Sequence, residues 1–216
     1  MNTLSISQQY LLCTFNEKGK MPGLSNEISV CILAGGLLDL IFAKSLEIDD
    51  KKKLLITGDL DPKLRHLRSL YNFIKDSKPM KVEDLASEYV FSLLSKQFNL
   101  LIEEIGSSLA EQEHVVTSIG GILGKTTYYI PRKEAVDKIV QSIRAELLET
   151  GPVSEDMIAL VSLLAKSGQI NKFFSKYEKD QLKVRLKEMM DDASYVLVKE
   201  MIDYIDFMMV IISLPK

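Results

Sequence analysis

Ser25-Asn-Glu-Ile-Ser-Val-Cys-Ile-Leu-Ala-Gly-Gly-Leu-Leu-Asp-Leu-Ile-Phe-Ala43 is the stretch on which the fold turns. Ile28, Val30, Ile32, Leu33, Leu37, Leu38, Leu40 and Ile41 leave almost no polar side, and a helix that is apolar nearly all round belongs inside a protein rather than on its surface. Gly35 and Gly36 each cost helix stability relative to alanine, and the use that justifies them is close approach of a neighbouring helix. The pattern predicts a central core helix over 25–43.

On its N-terminal side, Ser5 is a helix N-cap residue for a helix over 5–15, with Ile6, Tyr10, Leu11 and Cys13 on the buried side. Asn16-Glu-Lys-Gly-Lys-Met-Pro-Gly23 is rich in turn formers and closes it. On its C-terminal side, Ser45–Ile48 and Lys53–Thr57 flank Asp49-Asp50-Lys51-Lys52 as a short hairpin. Pro62 suits the first turn of a helix whose apolar positions Leu64, Leu67, Leu70, Tyr71 and Ile74 follow the helical period. Further helices are expected over 82–94 and 98–111. The β-branched and aromatic stretch 114–131, interrupted by Gly120-Gly121 and Gly124, reads as a second hairpin. Helices over 134–149, 154–166, 176–189 and 194–212 complete a mainly α chain with short β-hairpins. No linker or internal repeat divides it, so residues 1–216 are expected to form one globular helical domain.

The 216 residues are 46% hydrophobic and 26% charged with a net charge of −3. That is ample material for a buried core, and it lacks the basicity of a nucleic-acid binder. Any anion site must therefore be local. Two cysteines, Cys13 and Cys31, both in apolar helical patterns, do not make a secreted disulfide framework, so a reducing intracellular compartment is expected. The opening residues MNTLSISQQY do not read as a secretory signal, and apolar runs such as 207–214 fall far short of the roughly 20 residues needed to span a bilayer.

Gly120-Gly-Ile-Leu-Gly-Lys-Thr126 resembles a phosphate-binding P-loop but fails its rules. Four residues must separate the first glycine from Gly-Lys-Thr; the required position holds Ile119, and Gly120 leaves only three. A P-loop also opens into a helix, whereas Thr126–Ile130 reads as a strand. His66 and His114 lie in different segments without metal-site spacing, and both are expected at the surface or its boundary. Cys13, on an apolar helix side, reads as a core residue. The adjacent pairs Glu103-Glu104 and Asp191-Asp192 diverge on a helix and read as solvated surface. No catalytic constellation and no cofactor site emerge.

Two basic concentrations remain. Lys63, Arg65, Arg68, Lys75, Lys78 and Lys81 fit the solvated face of an amphipathic helix. Lys125, Arg132, Lys133, Lys138 and Arg144, set against Glu134 and Asp137, instead surround a place where a strand end meets a helix start. That junction offers both side-chain cations and N-terminal amides to a phosphate. Arg132, Lys133 and Lys138 are the candidate anion-binding residues.

Leu4-Ser-Ile-Ser-Gln-Gln-Tyr-Leu-Leu-Cys13, the core helix running into Ser-Leu-Glu-Ile48, Gly58-Asp-Leu-Asp-Pro-Lys-Leu, Leu101-Ile-Glu-Glu-Ile-Gly and Ile158-Ala-Leu-Val-Ser-Leu-Leu-Ala165 occur in an order that resembles the Golgi phosphoprotein 3 family. The match covers about Leu4 to Met189. The resemblance implies a mainly helical fold, no enzyme activity, and a cytoplasmic adaptor bound peripherally to a membrane. It also implies recognition of phosphatidylinositol 4-phosphate by a tryptophan, a core-helix arginine and basic residues on a later helix. This chain departs from that pocket: it has no tryptophan, the aligned position falling near Leu24, and the arginine position is at or near Leu33. Lys138 keeps a positive charge while the next basic position becomes Gln141. A leucine in place of a guanidinium removes both charge and forked phosphate contacts. The family's basic N-terminal tail is not expected here, Leu148–Ser154 reads as shorter than the family's loop associated with self-association, and a weak homo-oligomer is the expected self-association. The expected partner is an anionic membrane lipid, with no nucleic acid; the alternative is a protein-interaction scaffold that kept the fold and lost the lipid pocket.

Overall fold

A computed structural model describes residues 4–21, 26–89, 96–121, 126–149, 151–191 and 195–213. Helix α1 (Ile6–Thr14) begins with a capping box: the Ser5 hydroxyl accepts from the Gln8 amide, and the Gln8 side chain accepts in turn from the Ser5 amide. Two orphan donors of the first turn are thereby satisfied. Helix α2 (Asn26–Phe42) is the central core helix, with every residue from Ile28 to Ile41 buried. It packs mainly on α1, on α7 (Glu155–Lys166) and on α9 (Val196–Ser213). The two glycines serve the expected close approach: a Cβ on Gly36 would lie 3.0 Å from Leu70 Cδ2, and one on Gly35 3.4 Å from Ser7 Cα.

Strands β1 (Leu46–Ile48) and β2 (Leu54–Ile56) pair antiparallel, with Leu46 opposite Ile56. Their turn is organised by Asp49, whose Oδ1 accepts from the amides of Lys51 (2.9 Å) and Lys53 (2.8 Å), the local bond that makes aspartate a turn former. The helix expected from Pro62 through Ile74 is two elements. A 3-10 segment (Pro62–Leu67) is started by Asp61, whose side chain accepts from the Lys63 amide, and Leu64 inside it has non-helical dihedrals. Helix α3 (Arg68–Asp76) follows. Helices α4 (Val82–Tyr89) and α5 (Lys96–Glu111) come next; residues 90–94, expected to extend the first of these, lie outside the described residues.

Strands β3 (Val115–Gly120) and β4 (Thr126–Pro131) form the second hairpin, paired antiparallel from Val115–Pro131 to Gly120–Thr126. Its base is fastened to α5 by Tyr129. That ring fits only because Gly106 has no side chain, since a Cβ there would stand 2.6 Å from Tyr129 Cε2. Helix α6 (Lys133–Ile143) continues as one π turn (Arg144–Leu148) rather than as the unbroken α-helix expected to residue 149. A short 3-10 segment (Gln169–Lys172), for which the sequence carries no signal, links α7 to α8 (Lys176–Met190). One contiguous hydrophobic core draws residues from all of these helices.

Candidate anion-binding face and a buried polar cluster

Pro131 ends β4 and Lys133 begins α6, so one residue, Arg132, makes the whole transition from strand to helix. Its amide donates to the His114 carbonyl at 2.9 Å, extending the hairpin ladder by one bond, while its own carbonyl accepts from Ala135 and Val136 in the first helical turn. Arg132 is the N-cap yet offers no capping side chain, because a guanidinium only donates. The apolar side of α6 (Ile139, Val140, Ile143) is buried, which turns Arg132, Lys133 and Lys138 to solvent. None of the three forms an ion pair with a described residue.

They do not share one helix face. Lys133 and Lys138 are five positions apart, about 140° around the axis. Lys138 acts on half-buried His114, whose imidazole is held below its ordinary pKa by burial and then by the Lys138 charge, while Arg132 meets the same residue through its backbone amide. Arg144 is not part of this group. Its Nε donates to Glu178 Oε1 at 2.8 Å, its terminal nitrogen to the Phe173 carbonyl at 3.1 Å, and its guanidinium stacks 5.1 Å from the Phe174 ring centroid. Lys125 and Leu24 lie outside the described residues. Leu33, where the resemblance places an arginine, is 1% exposed and packs in the core.

Two members of the other basic concentration are engaged locally. Arg65 pairs with Glu111, and Lys75 lies 5.6 Å from the Tyr71 ring centroid. Glu104 is more than a solvated surface acid, because it accepts from the Ser69 amide at 3.0 Å at the start of α3. In the glycine-rich turn, β4 begins at Thr126, so the chain enters a strand where a P-loop needs a helix.

His66 is not at the surface: only 3% of it is exposed, and it joins a polar cluster that the spacing of the sequence did not signal. Asp39, in the middle of apolar α2, accepts from the Ile6 amide (2.8 Å), the Ser7 amide (2.9 Å) and the Ser7 hydroxyl (2.5 Å). His66 Nε2 lies 3.1 Å from Ser5 Oγ and 3.4 Å from Ser7 Oγ, while its buried Nδ1 has no partner among the described residues. Burial pushes the Asp39 carboxyl up to about 6 against the pull of its donors, and pushes the His66 imidazole down to about 4. These are the residue types of a serine-hydrolase triad in the wrong arrangement. The carboxylate binds a serine and a helix end instead of orienting the imidazole through Nδ1, and Ser7 is fully buried, out of reach of a substrate. The signal available in the sequence was the lone acid inside an apolar helix, which must find donors somewhere.

The molecule so described is mainly helical, with Arg132, Lys133 and Lys138 at the β4–α6 junction forming no ion pair with a described residue and Asp39 bonded to the start of α1. Residues 6–205 match the family model of Golgi phosphoprotein 3 (GPP34), and the chain belongs to that family. None of the curated proteins is similar enough to this chain to count as a match.

Proposed function

We propose that this chain is a non-enzymatic adaptor that binds peripherally to an anionic membrane on its cytoplasmic side through Arg132, Lys133 and Lys138. Phosphatidylinositol 4-phosphate is the headgroup its family suggests. The observation that carries the reading is the β4–α6 junction, where three solvent-exposed cations stand without ion-pair partners among the described residues. On the same side of the hairpin as Arg132, Val116 is exposed, so charge and apolar surface are offered together. No described helix is long and apolar enough to cross a membrane, in keeping with a surface attachment.

Each cation near an anionic surface contributes about 1 kcal/mol, so three give weak, salt-sensitive binding. Co-sedimentation with phosphatidylserine-containing vesicles tests this: the wild type pellets with them at low salt, and an Arg132→Ala/Lys133→Ala/Lys138→Ala variant does not. Equal pelleting of the two would refute the assignment. A second reading, a protein-interaction scaffold that kept the fold without a lipid pocket, is favoured by Leu33, which is too buried to offer anything to a headgroup. It predicts no sedimentation of the wild type with any vesicle.

A further inference from the structure

The turn between α1 and α2 is bound to the second hairpin, although nothing in the sequence connects them. Asn16 builds the turn: its Oδ1 accepts from the Lys18 and Lys20 amides at 2.9 and 3.0 Å, and its amide donates to the Lys20 carbonyl at 2.9 Å. Gly19 then meets β4 edge-on, its carbonyl accepting from the Tyr129 amide at 3.3 Å. Its φ of +68° and the 2.7 Å that would separate a Cβ from the Tyr129 carbonyl carbon both require glycine. The adjacent lysines are consequently held at the hairpin instead of ranging freely. Lys20 Nζ lies 5.2 Å from the centroid of the Tyr128 ring, and Lys18 is exposed in the same turn. Neither lysine forms an ion pair with a described residue.

Strand parity places this turn relative to the candidate face. Tyr129 points into the core, so Tyr128, Ile130 and Arg132 point the other way, with Ser118 and Val116 on that same outward side opposite Tyr128 and Ile130. From Tyr128 to Arg132 is about 13 Å along the strand. The outward side thus carries a cation over an aromatic ring at one end, apolar Val116 and Ile130 in the middle, and Arg132 at the other end. Tyrosine rings flanked by snorkelling lysines and apolar side chains are the composition of a membrane–water interface.

We propose that the 16–20 turn is a second cationic contact with the membrane, in which Lys18 and Lys20, pinned against β4 through Gly19, bind the same anionic lipid surface as Arg132, Lys133 and Lys138. The inference rests on the membrane reading above. Its test is co-sedimentation of the full chain with mixed phosphatidylserine–phosphatidylcholine vesicles, comparing wild type, Lys18→Ala/Lys20→Ala and the triple Arg132→Ala/Lys133→Ala/Lys138→Ala variant. Loss of two cations weakens binding roughly 25-fold, about fivefold for each. Wild-type affinity in the lysine variant, together with loss in the triple variant, overturns this inference and leaves the membrane reading intact; absence of wild-type binding overturns both. A fluorophore on Glu17→Cys gives a readout that keeps both lysines, and labelling is selective because Cys13 and Cys31 are buried. Its emission shifts to the blue on anionic vesicles if the turn meets the bilayer, and an unchanged spectrum under conditions where the protein sediments overturns the proposal.

Discussion

Asp39 receives two hydrogen bonds from Ser7, one from the backbone amide at 2.9 Å and one from the hydroxyl at 2.5 Å. With the third bond from the Ile6 amide, the carboxylate on α2 does for the first turn of α1 what a capping side chain does locally, and it favours the positive end of that helix. The other end is treated in the complementary way: Lys172 Nζ donates to the carbonyls of Thr14 (2.9 Å) and Cys13 (3.4 Å).

Removing the carboxylate strands three buried donors. Asp39→Ala should lower stability by about 3 kcal/mol, while Asp39→Asn, which keeps an acceptor, should cost about 1–2 kcal/mol. Chemical denaturation of the two variants checks the order; equal and small losses would mean that the contacts do not hold α1.

The same cluster makes two opposed contributions to the response to acid. A carboxyl raised to about 6 contributes stability that is fully present below its unfolded pKa and lost as pH rises through 6. An imidazole lowered to about 4 contributes stability that is present above its unfolded pKa and lost as pH falls through 4. Between pH 7 and pH 5 the two trends oppose each other and nearly cancel at these sites. Compared with the wild type, Asp39→Asn should therefore lose about 1 kcal/mol more stability on going from pH 7 to pH 5, and His66→Gln about 2 kcal/mol less. Parallel slopes in the two variants would contradict the assignment.

Gly106 is the seat of the hairpin. Gly106→Ala puts a methyl group 2.6 Å from the Tyr129 ring, whose hydroxyl is also anchored near Ser107 (3.2 Å) and the Glu103 carbonyl (3.3 Å). A loss of about 1–3 kcal/mol is expected from this overpacking, with faster amide exchange in β3 and β4 than elsewhere. Uniform exchange rates would show that the hairpin is not fastened there.

Arg132 and Arg144 should separate cleanly. Arg144→Ala removes a half-buried ion pair, a bond to a carbonyl and an aromatic stacking partner, so it should lower the melting temperature and leave vesicle binding unchanged. Arg132→Ala should do the reverse.

Much of this fold is legible in the residues because the deciding signals are local. The unbroken apolar surface of α2, Ser5 with Gln8 three positions on, and Asp49 at a turn each act within a few residues. What failed depends on distance. Leu64 and Leu67 satisfy the helical period whether the backbone is α or 3-10, so the break before Arg68 leaves no mark. His66 looks like any surface histidine until Ser5, 61 positions away, is brought against it. Arg132 and Arg144 are indistinguishable by type, and only the arrival of Glu178, 34 positions downstream, takes Arg144 out of the basic group.

The central claim, attachment through a few exposed cations without a headgroup-shaped pocket, is tested most directly by the affinity of the wild-type chain for two vesicle types of matched surface charge, one containing phosphatidylinositol 4-phosphate and the other phosphatidylserine, at low and high salt. The two affinities should agree within about threefold, since with leucine at position 33 no forked guanidinium contact is available there to discriminate by shape. Both should collapse as the screening length falls from about 10 Å at 0.1 M salt to about 3 Å at 1 M. A strong preference for the phosphoinositide that survives high salt would contradict the account.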